Sequence, residues 1–244
     1  MEQANKFPTE IVDLPSKGLL YAEDSPLRAG TIEMKYMTAK EEDILTNQNF
    51  IQKGTVIDKL LQALIVNKDI TYNDILVGDK NALLVAARIL GYGKDYDFTY
   101  LGEKVNVDLS AVQNKPIDES SIKDGKNEFT FLTPSTNDTL TFKLLTHGDE
   151  LAVQREIEGL KKMNKESSAE LSTRLKYMLL SVNGDEKAVR PYVDNNFLAR
   201  DSRAFRKFVN EIQPDVDLKF YPDGAEEGVD IPIGITFLWP DANL

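Results

Sequence analysis

Cysteine is absent from this sequence of 244 residues, and histidine occurs once, at His147. Without cysteine the chain has no disulfide, no thiolate nucleophile and no cysteine-ligated zinc or iron–sulfur cluster. With one histidine it has no histidine-rich metal site, and any histidine-dependent triad depends on His147. The surrounding sequence, THGDE, is typical of a helix start, where a polar histidine usually has a structural role. We therefore expect no metal, no other cofactor and no catalysis that depends on cysteine or His147.

Long hydrophobic runs are also lacking. The most apolar window, residues 60–66, is short and amphipathic, whereas a membrane-spanning helix needs about 20 apolar residues. The N-terminal sequence MEQANKFPTE has neither the basic nor the apolar region of a secretory signal. We therefore expect a chain with no membrane span that stays in the cytoplasm where it is made.

Positive charge is scarce. The chain has 29 lysine and arginine residues against 40 aspartate and glutamate residues, which gives a formal net charge of −11. The densest basic cluster, LKK at 160–162 with a further lysine at 165, is typical of a solvated helix face. Nucleic-acid phosphates would repel such an acidic surface. We therefore expect no nucleic-acid partner.

The first 37 residues predict an extended arm and a strand. Pro8, Pro15 and Gly18 interrupt the apolar residues of this region and favour extended backbone and a tight turn over a helix. The sequence TIEMKYM that follows alternates apolar and charged residues, which is the pattern of a half-buried strand.

Residues 38–95 predict a helical block. Thr38 and Glu41 have the spacing of a capping box, and residues 56–65 carry a continuous apolar stripe of helical period. A further helix is expected from Asp79, as N-cap, to Leu90, with Gly91 ending it in a left-handed conformation. The GYGK sequence at 91–94 lacks the hydroxyl residue of a phosphate loop, because an aspartate follows its lysine. A helix end with a turn is therefore favoured there.

The rest of the chain predicts three further segments. Residues 96–145 contain two pairs of short alternating runs around turn residues, which indicate a β insertion of two hairpins. Residues 146–213 return to helical periodicity, with helices at about 147–163 and 168–182 and another in RDSRAFRKFVNEI. Residues 214–244 predict a hairpin that turns at Pro222-Asp223-Gly224. The expected fold class is α+β: a mainly helical body with a β-hairpin insertion, an extended N-terminal arm and a C-terminal β-hairpin.

The end of the chain concentrates apolar side chains, and two interpretations stay open. The residues concerned are Ile235, Phe237, Leu238, Trp239 and Pro240. They form either a last strand packed on the chain's own core or an interface, where a buried aromatic is worth several kcal/mol. Both apply if Trp239 and its successors overhang the core.

Several blocks of the sequence resemble one known family. They are LPSKGLLY, MTAKEEDILTNQNFIQKGTVIDKLLQALI, GDKNALLVAARILGYG, ARDSRAFRKFVNEIQPDVDL and ITFLWP. Together they resemble the baseplate hub family of T4-like bacteriophages, proteins of contractile tails with similar length. The likeness extends from Leu14 to Pro240 and is strongest at 34–93 and 197–240. Some relatives carry Cys-x-x-Cys pairs at two hairpin tips, where this chain has the sequences YLGE at 100–103 and YPDG at 221–224, so no zinc site is implied here.

The resemblance implies a non-enzymatic component of a tail baseplate hub with other baseplate and hub proteins as partners. Such a protein would be in the host cytoplasm during assembly and in the virion tail baseplate if it is a structural subunit. Two alternatives stay open: a chaperone-like hub assembly factor that is absent from the mature virion, and a tail-associated cell-wall hydrolase, which would require a carboxylate pair.

The resemblance also implies a role for the sequence DLPSKGLLY. It is similar to an arm that leads into the first strand and helix and docks on a partner, and a rigid arm loses less entropy on docking than a flexible one. The expected interface residues there are Leu14, Pro15, Lys17, Gly18, Leu19, Leu20 and Tyr21, together with the apolar residues of the chain's end.

Overall fold

The computed structural model describes residues 8–119, 122, 125–163, 169–222, 228–233 and 235–238. Its helices are α1 (Ala39–Leu45), α2 (Gln48–Gln52), α3 (Val56–Leu64), α4 (Val77–Tyr92), α5 (His147–Met163), α6 (Glu170–Met178), α7 (Val189–Asn195), α8 (Ala199–Ile212) and α9 (Ile235–Leu238). Short 3₁₀ turns lie at Pro26–Ala29, Tyr72–Asp74 and Leu109–Ala111. None of the helices in this part of the chain has the length and hydrophobicity to cross a bilayer.

The strands form small antiparallel sheets. They are β1 (Thr9–Asp13), β2 (Thr31–Lys35), β3 (Asp95–Tyr100), β4 (Glu103–Asp108), β5 (Phe129–Leu132), β6 (Thr139–Phe142), β7 (Leu179–Val182), β8 (Lys219–Phe220) and β9 (Val229–Asp230). β1 pairs with β2, β3 with β4 and β8 with β9, while β5, β6 and β7 form a three-stranded sheet in that order. The fold is thus of the expected α+β class.

Local signals placed the first helices well. Thr38 and Glu41 form the predicted capping box, and most of the predicted apolar stripe of α3 is buried. α4 differs from the prediction, because it runs from Val77 to Tyr92 with Gly93 (φ +83°) as its C-cap. Gly91 is inside the helix, and Asp79 is in the first turn rather than at the N-cap. The position at which α4 begins depends on tertiary pairing. The Val77 amide donates to the Leu145 carbonyl, and the extended segment that precedes the helix ends at this contact.

The predicted insertion contains the two expected hairpins, β3–β4 and β5–β6. The helix expected over 168–182 stops at Met178, and its last four residues form β7 on the open edge of β6. Apolar runs as short as this one fit a buried strand or a buried helix equally well. The run forms a strand because the neighbouring edge of β6 pairs with it, and the Lys143 amide donates to the Met178 carbonyl where the strand begins.

The C-terminal hairpin is present as β8–β9, with its predicted turn at Asp223 and Gly224 outside the described residues. The last described segment, expected as a strand, is the short helix α9. A continuous cluster of buried apolar side chains includes residues from the N-terminal loop, from both helical blocks, from the β insertion and from α9. The N-terminal and C-terminal segments therefore belong to the same core as the helices between them.

Candidate functional site: an apolar groove along an open strand edge

An apolar groove of about 480 Å³ lies beside β1. Residues 10–13 of β1 line it, and α4 and the segment after β4 line the rest, chiefly with Ala82, Val85, Ala86, Ile89, Leu90, Leu109 and Val112. Successive side chains of a strand point to opposite faces of the sheet. A cavity that contacts four consecutive residues therefore runs along the edge of the strand. We call it the β1 groove.

Among the described residues, the edge of β1 that faces away from β2 has no backbone partner. The Tyr36 amide donates to the Pro8 carbonyl, and the Leu14 amide donates to the Gly30 carbonyl. Hydrogen-bonded pairs alternate along an antiparallel ladder, so even-numbered residues of β1 bond to β2 and odd-numbered ones face outward. Within the part of the chain described here, the backbone of Thr9, Ile11 and Asp13 makes no hydrogen bond on that outer side.

The outer edge of β2, in contrast, is covered. The Val66 amide donates to the Glu33 carbonyl at 3.0 Å, and Ile65 pairs with Met34 as an isolated bridge. In the described part of the chain, the two-stranded sheet is thus closed on the β2 side and open on the β1 side. Ile11, in the middle of the open strand, is 71% exposed. Sequence reasoning missed this site because an open edge depends on what lies next to a strand, not on the strand's own pattern.

The expected docking arm is packed into the protein. Leu14, Pro15, Gly18, Leu20 and Tyr21 are buried. The expectation that Leu20 and Tyr21 are available to a partner is therefore not met in this fold. Two of the arm's expected interface residues keep exposed surface: Leu19 is half-buried, and Lys17 is exposed and forms an ion pair of 2.8 Å with Glu119.

A buried carboxylate holds this arm in place. Asp79 accepts hydrogen bonds from the Ser16 amide at 2.9 Å, the Ser16 hydroxyl at 2.7 Å and the Tyr21 hydroxyl at 2.6 Å. The Tyr21 hydroxyl in turn accepts from the Leu76 amide at 2.9 Å. Burial raises the pKa of Asp79, while these hydrogen bonds favour its charged form. The role of Asp79 is thus to join the arm to α4, which its predicted N-cap position did not reveal.

The expected interface residues at the end of the chain are only partly described. Phe237 and Leu238 are buried, and the Phe237 ring contacts the Tyr96 ring edge-on, with 4.9 Å between centroids. The Ile235 side chain, Trp239 and Pro240 lie outside the described residues. For Phe237 and Leu238 the interpretation as core residues is therefore the one the structure supports.

His147 belongs to a polar cluster at the base of a second cleft, of about 760 Å³, between α3, α4, α5 and α6. Lys80 donates to Asp58 at 2.7 Å and lies 3.1 Å from Nδ1 of His147. An ammonium group only donates, so Nδ1 is the acceptor and the neutral ring carries its proton on Nε2, which faces Asp58 at 3.6 Å. Tyr72 donates to the same carboxylate at 3.0 Å.

The environment of His147 keeps the imidazole ring neutral and engages its acceptor nitrogen, Nδ1, in a hydrogen bond. Burial lowers its pKa, and the neighbouring Lys80 ammonium lowers it further against the opposing effect of Asp58. The Nδ1 lone pair already accepts from Lys80, so the ring has no free lone pair with which to take a proton from a substrate. No group of three or more potential metal ligands occurs among the described residues.

No protein-family model, no curated protein and no solved structure matches the chain.

Proposed function

We propose that this chain is a non-enzymatic component of the baseplate hub of a contractile phage tail and acts in tail assembly through protein–protein interfaces. The observation that carries the proposal is the β1 groove. An apolar groove beside an unpaired strand edge supplies both hydrophobic area and backbone hydrogen bonds to another protein. An open strand edge promotes pairing with other chains.

The sequence resemblance supports the same proposal. The region of strongest likeness, residues 34–93, includes α4 and Tyr36 and therefore contributes much of the wall of the β1 groove. Val216, from the second region of strong likeness, lines the groove as well. The hub proteins implied by the resemblance are the proposed partners, in the host cytoplasm during assembly and, for a structural subunit, in the virion baseplate.

The polar cluster around His147 is a poor candidate for the site of a hydrolase. Its carboxylate, Asp58, accepts from both Lys80 and Tyr72. A tail-associated hydrolase needs one carboxyl group free to protonate a leaving group and a second one nearby to activate water or to attack. An Asp58 held by two donors does not supply that pair.

The test is quantitative mass spectrometry of purified phage particles beside infected-cell lysate. We expect a fixed copy number in the particle. Abundance in the lysate with absence from the particle would replace the structural subunit with a hub assembly factor. Absence from both the particle and all tail-assembly complexes would contradict the proposal.

A matched pair of variants tests whether the β1 groove is the interface. Ala86 is half-buried in the groove, whereas Ala39 is exposed at the start of α1. Ala86→Lys places a charge in the apolar groove, and Ala39→Lys places the same charge on an open surface. We expect a phage lacking the wild-type gene to assemble tails with the Ala39 variant and not with the Ala86 variant. Equal tail yields would show that the groove is not used.

A further inference from the structure

We infer that the β1 groove binds an extended segment of a partner protein, with alternating apolar and basic side chains, which adds to β1 as a third strand. The inference rests on the proposed function, because it specifies the chemistry of the partner that such an assembly protein would recognise. Three independent features support it: the free backbone groups of β1, the apolar lining of the groove and the sign of its charged residues.

The backbone of β1 provides the ladder. Thr9, Ile11 and Asp13 each direct one N–H and one C=O toward the outer edge, as the alternation of the β1–β2 ladder requires. An added strand would satisfy these groups through main-chain hydrogen bonds. Such bonds supply affinity without regard to the partner's side chains.

The lining provides selectivity for an alternating pattern. In a strand added to β1, every second side chain points toward the sheet face that packs on α4, and the others point to solvent. Val85, Ala86 and Ile89 of α4 and Leu109 give the inner side of the groove an apolar surface. The inward positions of the partner are therefore apolar, and small or branched residues suit a strand in such a position.

The charged residues of the groove select a basic partner. Glu10 and Asp13 line it, and neither a lysine nor an arginine is among its described lining residues. Glu33, cross-strand from Ile11, adds a further exposed carboxylate to the same sheet. Asp13 and Glu33 lie on the same sheet face as Ile11, so lysine or arginine at the partner's outward positions would face these two carboxylates. Glu10 lies on the inner face and accepts a hydrogen bond from the Tyr36 hydroxyl. A second copy of this chain is a poorer occupant, because each copy carries a net charge of −11.

The binding test uses synthetic peptides of about nine residues, long enough to pair with the whole of β1. The probe alternates valine and lysine and carries a fluorescent label. One comparison peptide has glutamate in place of lysine, and another has the same composition with valines and lysines in separate blocks. We expect fluorescence anisotropy to detect binding of the alternating basic peptide and of neither comparison peptide.

Methylation of the peptide's backbone amides tests for hydrogen bonds between the peptide and β1 and leaves the protein unchanged. All N–H groups of the valines face one edge of an extended peptide, and all those of the lysines face the other. Methylating the valine amides therefore blocks one edge, and methylating the lysine amides blocks the opposite edge. We expect one of the two methylated peptides to bind and the other to fail. Equal binding of both would overturn strand addition.

A pair of variants of the protein itself tests the outer edge of β1. The Ile11 amide takes no part in the β1–β2 ladder, so Ile11→Pro removes an outward donor while leaving that ladder intact. Ile11→Ala removes a mostly exposed side chain and retains the amide. Loss of one hydrogen bond, with the ring in the partner's path, should weaken peptide binding by about tenfold or more in the proline variant. The alanine variant should bind nearly as well as wild type.

The outcomes separate this inference from the function on which it rests. Binding of the acidic peptide as tight as that of the basic one, equal affinity of the two Ile11 variants, or no peptide binding at all would each overturn the inference. A chain that fails these assays but has a fixed copy number in tails would leave the proposed function standing. A chain that binds the peptide but is absent from tails and their assembly complexes would overturn the function alone.

Discussion

Replacing Tyr21 with phenylalanine is expected to destabilise the fold strongly, although it removes a single oxygen atom. The hydroxyl donates to Asp79 at 2.6 Å and accepts from the Leu76 amide at 2.9 Å, and all three residues are buried. Its loss therefore leaves a buried carboxylate with one donor fewer and a buried amide without an acceptor. Water does not replace either partner unless the arm opens.

The magnitude follows from these two bonds. A hydrogen bond to a charged group contributes roughly 1.5–3 kcal/mol, and an orphaned buried amide costs roughly 1–3 kcal/mol. Because one hydroxyl serves both groups and some relaxation follows, we expect a loss of about 3 kcal/mol from the free energy of unfolding. Against a total stability of roughly 5–15 kcal/mol, this is a large fraction.

Urea unfolding followed by circular dichroism measures the effect. With a slope of about 3 kcal/mol per molar urea, the expected loss lowers the midpoint by about 1 M. Tyr36→Phe is the matched control, because its hydroxyl also donates to a carboxylate, Glu10, but at an exposed pair 3.1 Å apart. The control substitution should lower the free energy of unfolding by less than about 0.5 kcal/mol. A Tyr21 variant no less stable than this control would refute the assigned role of the hydroxyl.

Three further predictions concern other positions. The pKa of His147 is lowered by burial, so the unfolded chain takes up the proton first as the pH falls below about 6.5. Stability of the wild type should thus fall between pH 7 and about 5.5 more steeply than that of His147→Gln, and equal slopes in urea titrations would contradict this. Gly18 has φ +75°, and a Cβ there would lie 2.4 Å from the Arg28 carbonyl oxygen. Gly18→Ala should therefore cost at least about 2 kcal/mol, whereas Gly54→Ala, with φ +65° and open space, should cost less in the same assay. Phe237→Ala should lower the free energy of unfolding by about 3–5 kcal/mol because the ring is fully buried; a change below 1 kcal/mol would show that α9 is not part of the core.

Elements with strong local signals were predictable. α1 follows its capping box, α3 follows its apolar stripe, and the β3–β4 hairpin turns at Leu101 and Gly102, both with positive φ. Two residues in that conformation match the twist of the flanking strands. Each of these features depends on residues within a few positions of one another. Such local signals do not depend on the conformation of the rest of the chain.

Elements that depend on distant partners were not predictable in the same way. β7 exists because β6 presents an open edge to it, and α4 begins where it does because the residues before it pair with residues 145–147. The last described segment is a helix whose Phe237 packs beside Tyr96, more than a hundred positions earlier. A short apolar run takes whichever backbone form its neighbours can satisfy.

The sequence by itself determined the fold class, the capped and periodic helices, the first hairpin and the absence of cysteine chemistry, because composition and local hydrogen bonding suffice for these. Only the tertiary structure decided that most of the arm from Leu14 to Tyr21 is buried, that Asp79 holds it, and that no described residue pairs with the outer edge of β1 beside α4. Burial and edge pairing depend on which residues meet in space, and the contacts of Asp79 with Ser16 join positions 63 residues apart.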